Sequence, residues 1–319
     1  MTPLDQKRDH GGGLDAAIAR FGGVRADWLD LSTGINPVPY PLPQIPPRFW
    51  QALPDSQDQS DLLDAARQFW SVPEGAAIAA ASGVSALIAA LPRLAPAAEV
   101  GIARPTYNEH AASFAAFGWT VGDSPAEANV YVHPNNPDGR LWDRDTVLRQ
   151  HNSLTIIDES FCDISPAASH MDLADRAGFV VLKGLGKFWG LAGVRLGFAM
   201  ARPETIARLE QMLGPWAISG PAQHIGLHAL SNHRWAGETR ARLEQDAARL
   251  DSIATNAGYK NPRGTSLFRL YDVEDAEAAF DQLAKGRILS RIFPYSKTLI
   301  RLGLPGTQAA WTQLQKVLE

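Results

Sequence analysis

Two lysines and an arginine in the segment Phe179–Met200 are the residues of this chain best spaced for chemistry. An apolar run, Phe179 to Leu182, has the length and β-branched content of a buried strand. A glycine-punctuated turn follows with Lys183 and Lys187. Arg195 stands eight residues after Lys187, ahead of a second apolar run from Leu196 to Met200. A lysine forms a Schiff base well when burial and neighbouring cations lower its pKa, because the free amine is the nucleophile. A guanidinium suits a phosphate, since its planar fork bonds two oxygens at once. A cofactor with both an aldehyde and a phosphate is pyridoxal 5′-phosphate (PLP). Lys183 and Lys187 are alternatives for the amine. A nucleotide-binding P-loop is rejected, because Val181 stands where its first glycine belongs and Phe188 where Ser or Thr follows the lysine. The ordinary meaning of a Gly-Lys pair is a solvated surface charge.

The elements that must position these groups read as an α/β protein. Strands are expected at Ile78–Ala81, Gly101–Ala103, Val130–Val132, Leu154–Ile157 and Phe179–Leu182, with helices between them, among them Leu62–Trp70, Ala86–Leu94, Glu109–Phe117 and Arg144–His151. Such alternation predicts a mainly parallel sheet covered on both faces. Ligands on these sheets sit beyond the carboxyl ends of strands. Tyr107, Asn136, Asp158 and Lys187 all fall just after an expected strand, which points to one shared site. Ser82-Gly83-Val84-Ser85 turns from a strand into a helix, where free N–H groups and the helix dipole suit an anion. Further on, Pro203–Leu213 reads as a helix, and a long helical region runs to about Ala257. Ser266–Leu270, Ile288–Phe293 and Thr298–Leu302 read as strands, with helices at Glu274–Ala284 and Gln308–Leu318: a smaller α+β domain. Before the first strands come a histidine-bearing arm, a helix at Leu14–Phe21 and an extended proline-rich stretch from Pro37 to Pro47.

Composition bounds the reading. With 319 residues the chain can bury a sizeable core. A net charge of −4 gives no support for nucleic-acid or membrane binding. The single cysteine, Cys162, allows no intrachain disulfide and fits a reducing compartment. The polar start shows no secretion signal, and Gly75–Pro92, though apolar, is mostly alanine and is interrupted by Ser82, Gly83 and Ser85.

Asn136-Pro137 with a trailing Gly139, then Asp158-Glu159, then Lys187 with Arg195 eight residues on, then Arg301-Leu302-Gly303, is an ordered set. It resembles the fold-type I, aspartate-aminotransferase-like PLP enzymes over essentially the whole chain. The resemblance implies an N-terminal arm at 1–40 that contributes to the small domain and the active site. It implies a large PLP-binding domain at 41–205 and a small C-terminal domain at 206–319. It selects Lys187 for the Schiff base and for later proton movement. Asp158 would keep the pyridine nitrogen protonated, Asn136 would bond the ring hydroxyl oxygen, and Tyr107 would stack on the ring. Ser82, Gly83 and Val84 would cradle the phosphate with Arg195, and Arg301 would clamp the substrate carboxylate.

His10-Gly11-Gly12, Ser32-Thr33-Gly34-Ile35-Asn36-Pro37, Asp158-Glu159-Ser160-Phe161 and the ending Ile300-Arg301-Leu302-Gly303-Leu304-Pro305-Gly306 narrow the likeness. They resemble the threonine-phosphate decarboxylases of cobalamin biosynthesis. That branch implies His10 near the substrate phosphate, Gly34 and Asn36 near the substrate, and decarboxylation of L-threonine O-3-phosphate to (R)-1-amino-2-propanol O-2-phosphate. It also implies a cytoplasmic homodimer acting on a small phosphorylated amino acid, with no metal. A transaminase of the histidinol-phosphate type is the alternative, and a non-catalytic PLP-binding protein a third. Departures cluster around the lysine. Gly184 and Gly186 stand where the family often has hydroxyl residues, Phe161 where it often has tyrosine, and Leu53 where a tyrosine commonly reaches the neighbouring subunit. Gly13 replaces an Asn frequent in the arm.

Overall fold

The chain enters through helix α1 (Leu14–Phe21) and a two-residue strand β1 (Leu29–Asp30). A single turn α2 (Arg48–Gln51) ends the proline-rich stretch, and α3 (Ser56–Trp70) follows. Strands and helices then alternate: β2 (Ala77–Ala81), α4 (Val84–Ala90), β3 (Glu99–Gly101), α5 (Asn108–Ala116), β4 (Thr120–Gly122), β5 (Ala128–Val132), α6 (Arg144–Arg149), β6 (Leu154–Asp158), β7 (Phe179–Gly184) and β8 (Gly197–Ala201). Next come α7 (Pro203–Leu213), α8 (Gly220–Leu230) and α9 (His233–Asn256). The chain closes with β9 (Lys260–Thr265), β10 (Phe268–Asp272), α10 (Ala276–Lys285), β11 (Ile288–Leu289), β12 (Arg291–Phe293), β13 (Ser296–Gly303) and α11 (Gln308–Leu318). This computed structural model describes residues 10–319, and they form two units. One is Pro39–Ala241; the other joins the N-terminal residues through Val38 to Arg242–Glu319.

The larger unit is built on a seven-stranded sheet, order β2-β8-β7-β6-β5-β3-β4. Only β8 runs antiparallel to its neighbours. Every residue of β5, β6 and β7 is buried, as expected of strands covered on both faces. On one face Val130, Ile156, Val180 and Leu182 pack with Leu87 of α4, Phe114 of α5 and Leu209 of α7. Alternate residues, Lys183 among them, point to the other face. The unit runs past the expected boundary at 205. Helix α8 packs on α3, and the start of α9 brings Trp235 onto the larger unit's rings: it stacks on Trp189 at 5.2 Å and meets Tyr40 edge-on at 5.2 Å.

The smaller unit holds a four-stranded antiparallel sheet, order β12-β13-β10-β9, and a parallel pair, β1 with β11. Leu14 and Ala17 of α1 pack with Trp28, Ala284 and Leu289. The N-terminal segment is thereby part of this unit's core.

Some elements differ from the expectation. The strand expected at Gly101–Ala103 lies two residues earlier, and α3 begins six residues earlier than Leu62, capped by Asp55. The expected strand Ile288–Phe293 breaks at Ser290 into β11 and β12, which belong to different sheets. The long helix is two, because Asn232 caps the second one, its side chain accepting from the Trp235 N–H. Among the described residues no helix is long and apolar enough to cross a membrane.

Candidate active site

In the larger unit, topology brings the expected residues to one sheet edge. Strands β2, β7, β6, β5 and β3 share a direction, so their carboxyl ends lie side by side, and β8 starts there. Ala81 at the end of β2 and Gly184 at the end of β7 both register with Gly197, the first residue of β8. Ser82–Val84 leave β2, Tyr107 follows β3, Asn136 follows β5, Asp158 ends β6, Lys187 follows β7 and Arg195 precedes β8.

Lys183 and Lys187 separate cleanly. Lys183 is fully buried in β7, with its ammonium 2.7 Å from Glu159 and 3.4 Å from Asp163. Burial alone would lower its pKa, but these carboxylates outweigh it and hold the amine charged. A permanently protonated, ion-paired amine is no nucleophile. Lys187 lies in the following turn, partly exposed, its Nζ 5.3 Å from the centre of the Phe161 ring. The aromatic at 161 thus lies beside the candidate amine without a hydroxyl.

Asp158 is buried and bonded at both oxygens. Oδ2 is 2.8 Å from His110 Nε2, and Oδ1 accepts from the Ser160 N–H at 3.0 Å and hydroxyl at 2.5 Å. Burial pushes the carboxyl pKa up; the His110 and Ser160 bonds outweigh it, and the net direction is down. An anionic Asp158 gives Nε2 of His110 the proton. Tyr107 precedes α5 and sets its ring edge-on to His110 at 6.1 Å. Buried Asn135, next to Asn136, accepts from Thr106 and donates to the Pro105 carbonyl, joining the β3 and β5 exits.

The anion end is made by Gly83 and Arg195. Gly83 has φ +81, and a Cβ there would come 2.6 Å from the Arg195 guanidinium. Only glycine lets the guanidinium lie against this turn. Arg195 also reaches the Ser85 hydroxyl at 3.4 Å and the Ala192 carbonyl at 3.2 Å. Gly184 and Gly186 prove unalike. A Cβ on Gly184 would meet Val84 Cγ2 at 2.7 Å, whereas one on Gly186 would meet only Ala192, at 3.5 Å and beyond. Val84 occupies the space a hydroxyl residue at 184 would need. A guanidinium against a glycine turn, a buried anionic carboxylate and a partly exposed lysine in the turn after β7 suit the phosphate, ring nitrogen and aldehyde of PLP, so the residues present fit that group. Leu53 is 67% exposed.

The smaller unit gathers the rest. The Gly12 N–H donates to Ser32 Oγ at 2.7 Å, and Ser32 donates to Asp30. Gly11 packs so closely on Ser32 that a Cβ would lie 2.4 Å from its carbonyl oxygen. Arg301, buried on β13, donates to the Ser32 carbonyl at 2.7 Å and lies 5.1 Å over Phe268. Asn36 is buried, its Oδ1 accepting from the Val38 N–H and from Arg242 at 2.6 Å. Gly303 donates to the Leu31 carbonyl. Residues 10–12, 30–36 and 301–303 are therefore one cluster; His10 is exposed and Gly34 buried within it.

Sequence reasoning missed His110 and Arg242. The place of His110 in the first turn of α5, three residues after Tyr107 at the helix start, was the available signal. Arg242, which orients Asn36, had none. Two other clusters are not the site. A cavity of about 240 Å³ lined by Trp70, Asp163, Lys183 and Arg240 among others holds Lys183, the ion-paired alternative, and none of the residues that the resemblance assigns. His133, Glu159 and Cys162 approach one another within 4.8 Å. However, His133 bonds the Ala168 carbonyl and the Trp142 N–H, and Glu159 is spent on Lys183.

A doubly covered sheet with lysine, aspartate and arginine at one edge defines a PLP-dependent enzyme of fold type I. The profile of the family "Aminotransferase class I and II" matches residues 125–314, and the chain belongs to that family. Threonine-phosphate decarboxylases from Pseudomonas aeruginosa and a Sinorhizobium species are 38% and 39% identical to it, each alignment covering 97% of both chains. A histidinol-phosphate aminotransferase from Pectobacterium atrosepticum is 33% identical over 44% of this chain and 46% of its own. The histidinol-phosphate aminotransferase of Sinorhizobium meliloti, solved with pyridoxal-5′-phosphate, superposes with a TM-score of 0.83 at 19% identity, covering 100% of this chain and 97% of its own. That likeness concerns the fold.

Proposed function

We propose that this enzyme decarboxylates L-threonine O-3-phosphate to (R)-1-amino-2-propanol O-2-phosphate, a step of cobalamin biosynthesis. The observation that supports this reading best is the end-to-end likeness to two threonine-phosphate decarboxylases, against a half-length likeness to a histidinol-phosphate aminotransferase. In this reading PLP, when bound, supplies an electron sink for the bond broken at Cα. Lys187 would hold the cofactor and would move a proton at the substrate Cα. Asp158, held anionic by His110 and Ser160, keeps a proton on the ring nitrogen. Asn136 bonds the ring hydroxyl oxygen and Tyr107 covers the ring. Gly83 and Arg195, with Ser82 and Val84, take the cofactor phosphate.

Arg301 and Asn36 hold the substrate carboxylate, with Gly34 giving it room, and His10 meets the substrate phosphate. Binding at the remote phosphate and carboxylate would orient the substrate and so select which bond at Cα is broken. The enzyme is a cytoplasmic homodimer in this reading. The exposed apolar side chains of Leu42, Trp50 and Leu53 in one stretch support a covered face.

The test is turnover. Threonine phosphate should release CO2 with no keto-acid acceptor present. Turnover of histidinol phosphate with 2-oxoglutarate instead would move the protein to the aminotransferase alternative. A visible cofactor band that borohydride bleaches, and that is lost in Lys187→Ala, establishes cofactor chemistry; its absence from the wild type leaves a non-catalytic binder.

A further inference from the structure

Asp163 stands five residues past Asp158, in the short turn Cys162–Ile164, and is 3% exposed. Its Oδ1 accepts from the Trp70 indole N–H at 2.8 Å and lies 3.4 Å from the Lys183 ammonium. Its Oδ2 accepts from the Trp189 indole N–H at 3.0 Å, and its backbone carbonyl accepts from Arg240 at 2.7 Å. Trp189, two residues after Lys187, has no exposed surface. Its carbonyl accepts from the Tyr40 N–H at 2.9 Å. The turn is also held by backbone bonds, Leu185 N–H to Leu196, Gly190 N–H to Lys187 and Leu191 N–H to Leu185.

One carboxylate therefore ties the chain leaving β6, which presents Asp158, to the chain leaving β7, which presents Lys187. Lys183 already has Glu159 at 2.7 Å, and Asp163 is its more distant carboxylate at 3.4 Å. Arg240, bonded to the Asp163 backbone carbonyl, adds a second cation beside the two carboxylates. A buried carboxylate costs desolvation free energy. Here both of its oxygens are used in directed bonds, two of them to indoles, which fix position rather than neutralise charge.

We infer that Asp163 is a positioning residue for the reaction, fixing where Lys187 stands by holding Trp189. This rests on Lys187 being the cofactor-bearing amine. Asp163 touches neither cofactor nor substrate and acts through the turn. Loosening it lets the amine wander from the reacting geometry, which lowers turnover more than binding.

The experiment compares Asp163→Asn, Trp189→Phe and their double variant as holoenzymes, with Lys187→Ala alongside. Phe at 189 keeps the ring and deletes the indole donor. Each single variant should move the pH midpoint of the visible cofactor band by about half a unit or more, since one unit reflects 1.36 kcal/mol of differential interaction. Each should lower kcat about tenfold with KM changed less than about twofold. The double variant should be no worse than Asp163→Asn, because the amide offers one acceptor oxygen for two indole donors and Trp189→Phe removes the donor of the same link. Effects that multiply, or a lower melting temperature with an unmoved band midpoint, would overturn the inference. If Asp163→Asn does not fold, Trp189→Phe still decides by its band midpoint. A bleachable band that survives Lys187→Ala instead removes the underlying reading, which is a distinct result.

Discussion

His110 changes what Asp158 can be. A buried carboxylate alone drifts toward its neutral form, and in its proposed role a neutral Asp158 would not keep a proton on the ring nitrogen. His110→Ala should therefore let burial dominate and raise the Asp158 pKa. A hydrogen bond to a charged group is worth about 1.5–3 kcal/mol, so PLP affinity should fall on the order of tenfold or more. Titrating the apoenzyme with PLP by fluorescence checks this; wild-type affinity would show that His110 is only packing. A second contrast lies at the two glycines. Gly184→Ser forces its Cβ onto Val84 at 2.7 Å and should cost about 1–3 kcal/mol, as overpacking does. Gly186→Ser has room and should leave stability within about 0.5 kcal/mol. Thermal unfolding separates them, and Val84→Ala should relieve the first. The residues flanking the lysine were legible in sequence as missing hydroxyls. That one omission is steric and the other is not was illegible, because Val84 arrives from a strand two places across the sheet. The preference for Lys187 over Lys183 came from the family resemblance, through the spacing to Arg195. Its physical reason, the Glu159 and Asp163 ion pairs, needed the fold.

Helix ends show where local sequence sufficed. Helices α1, α7 and α11 span the expected residues. Gly22 and Gly214 follow the first two, and Thr307 caps the third. Helix α3 was read too short because its first turn is polar and shows no apolar periodicity, although Asp55 announces it by accepting from the Gln57 and Asp58 N–H groups at 3.1 Å. Asp55→Ala should cost about 1 kcal/mol, read as a lower urea midpoint with unchanged slope; an unmoved midpoint would mean that the cap contributes nothing. Strands β4 and β9 were missed for a related reason. Both lie at sheet edges, one is three residues long and the other is polar and contains Pro262, so neither leaves the apolar run that marked the central strands. The parallel order of those strands was legible because burial on both faces makes them continuously apolar.

For the whole molecule, the buried titratable groups predict how stability depends on pH. Burial raises the Glu159 carboxyl, but Lys183, Ser169 and the His170 N–H outweigh it and hold it below its ordinary 4.5; Asp158 likewise lies below 3.8. A depressed carboxylate stabilises the fold above its unfolded pKa, and that contribution is lost as pH falls through the folded value. Burial also lowers His133 from 6.5, so the unfolded chain takes up a proton first and stability already declines below about pH 6.5. On the alkaline side the signs reverse. Lys183, raised above 10.5 by Glu159 and Asp163 against the pull of burial, stabilises below that value and ceases to as pH rises through its folded pKa. Tyr131 and Tyr259, pushed by burial from 10.0 up to about 12, keep protons that the unfolded chain sheds. Unfolding free energy should thus be flat between about pH 7 and 10 and fall on both sides. Urea midpoints of the cofactor-free protein across that range check the shape; a midpoint unchanged from pH 6.5 to 4 contradicts it. Glu159→Gln sharpens the test. It strips Lys183 of its nearer partner and should cost about 3–5 kcal/mol at pH 8, the usual penalty for breaking a buried pair. It should also flatten the acid limb below about pH 4.5, because the proton that Glu159 refuses in the folded state is no longer in play. Both partners lie within the larger unit, so the change belongs to the unfolding of the unit that carries Lys187.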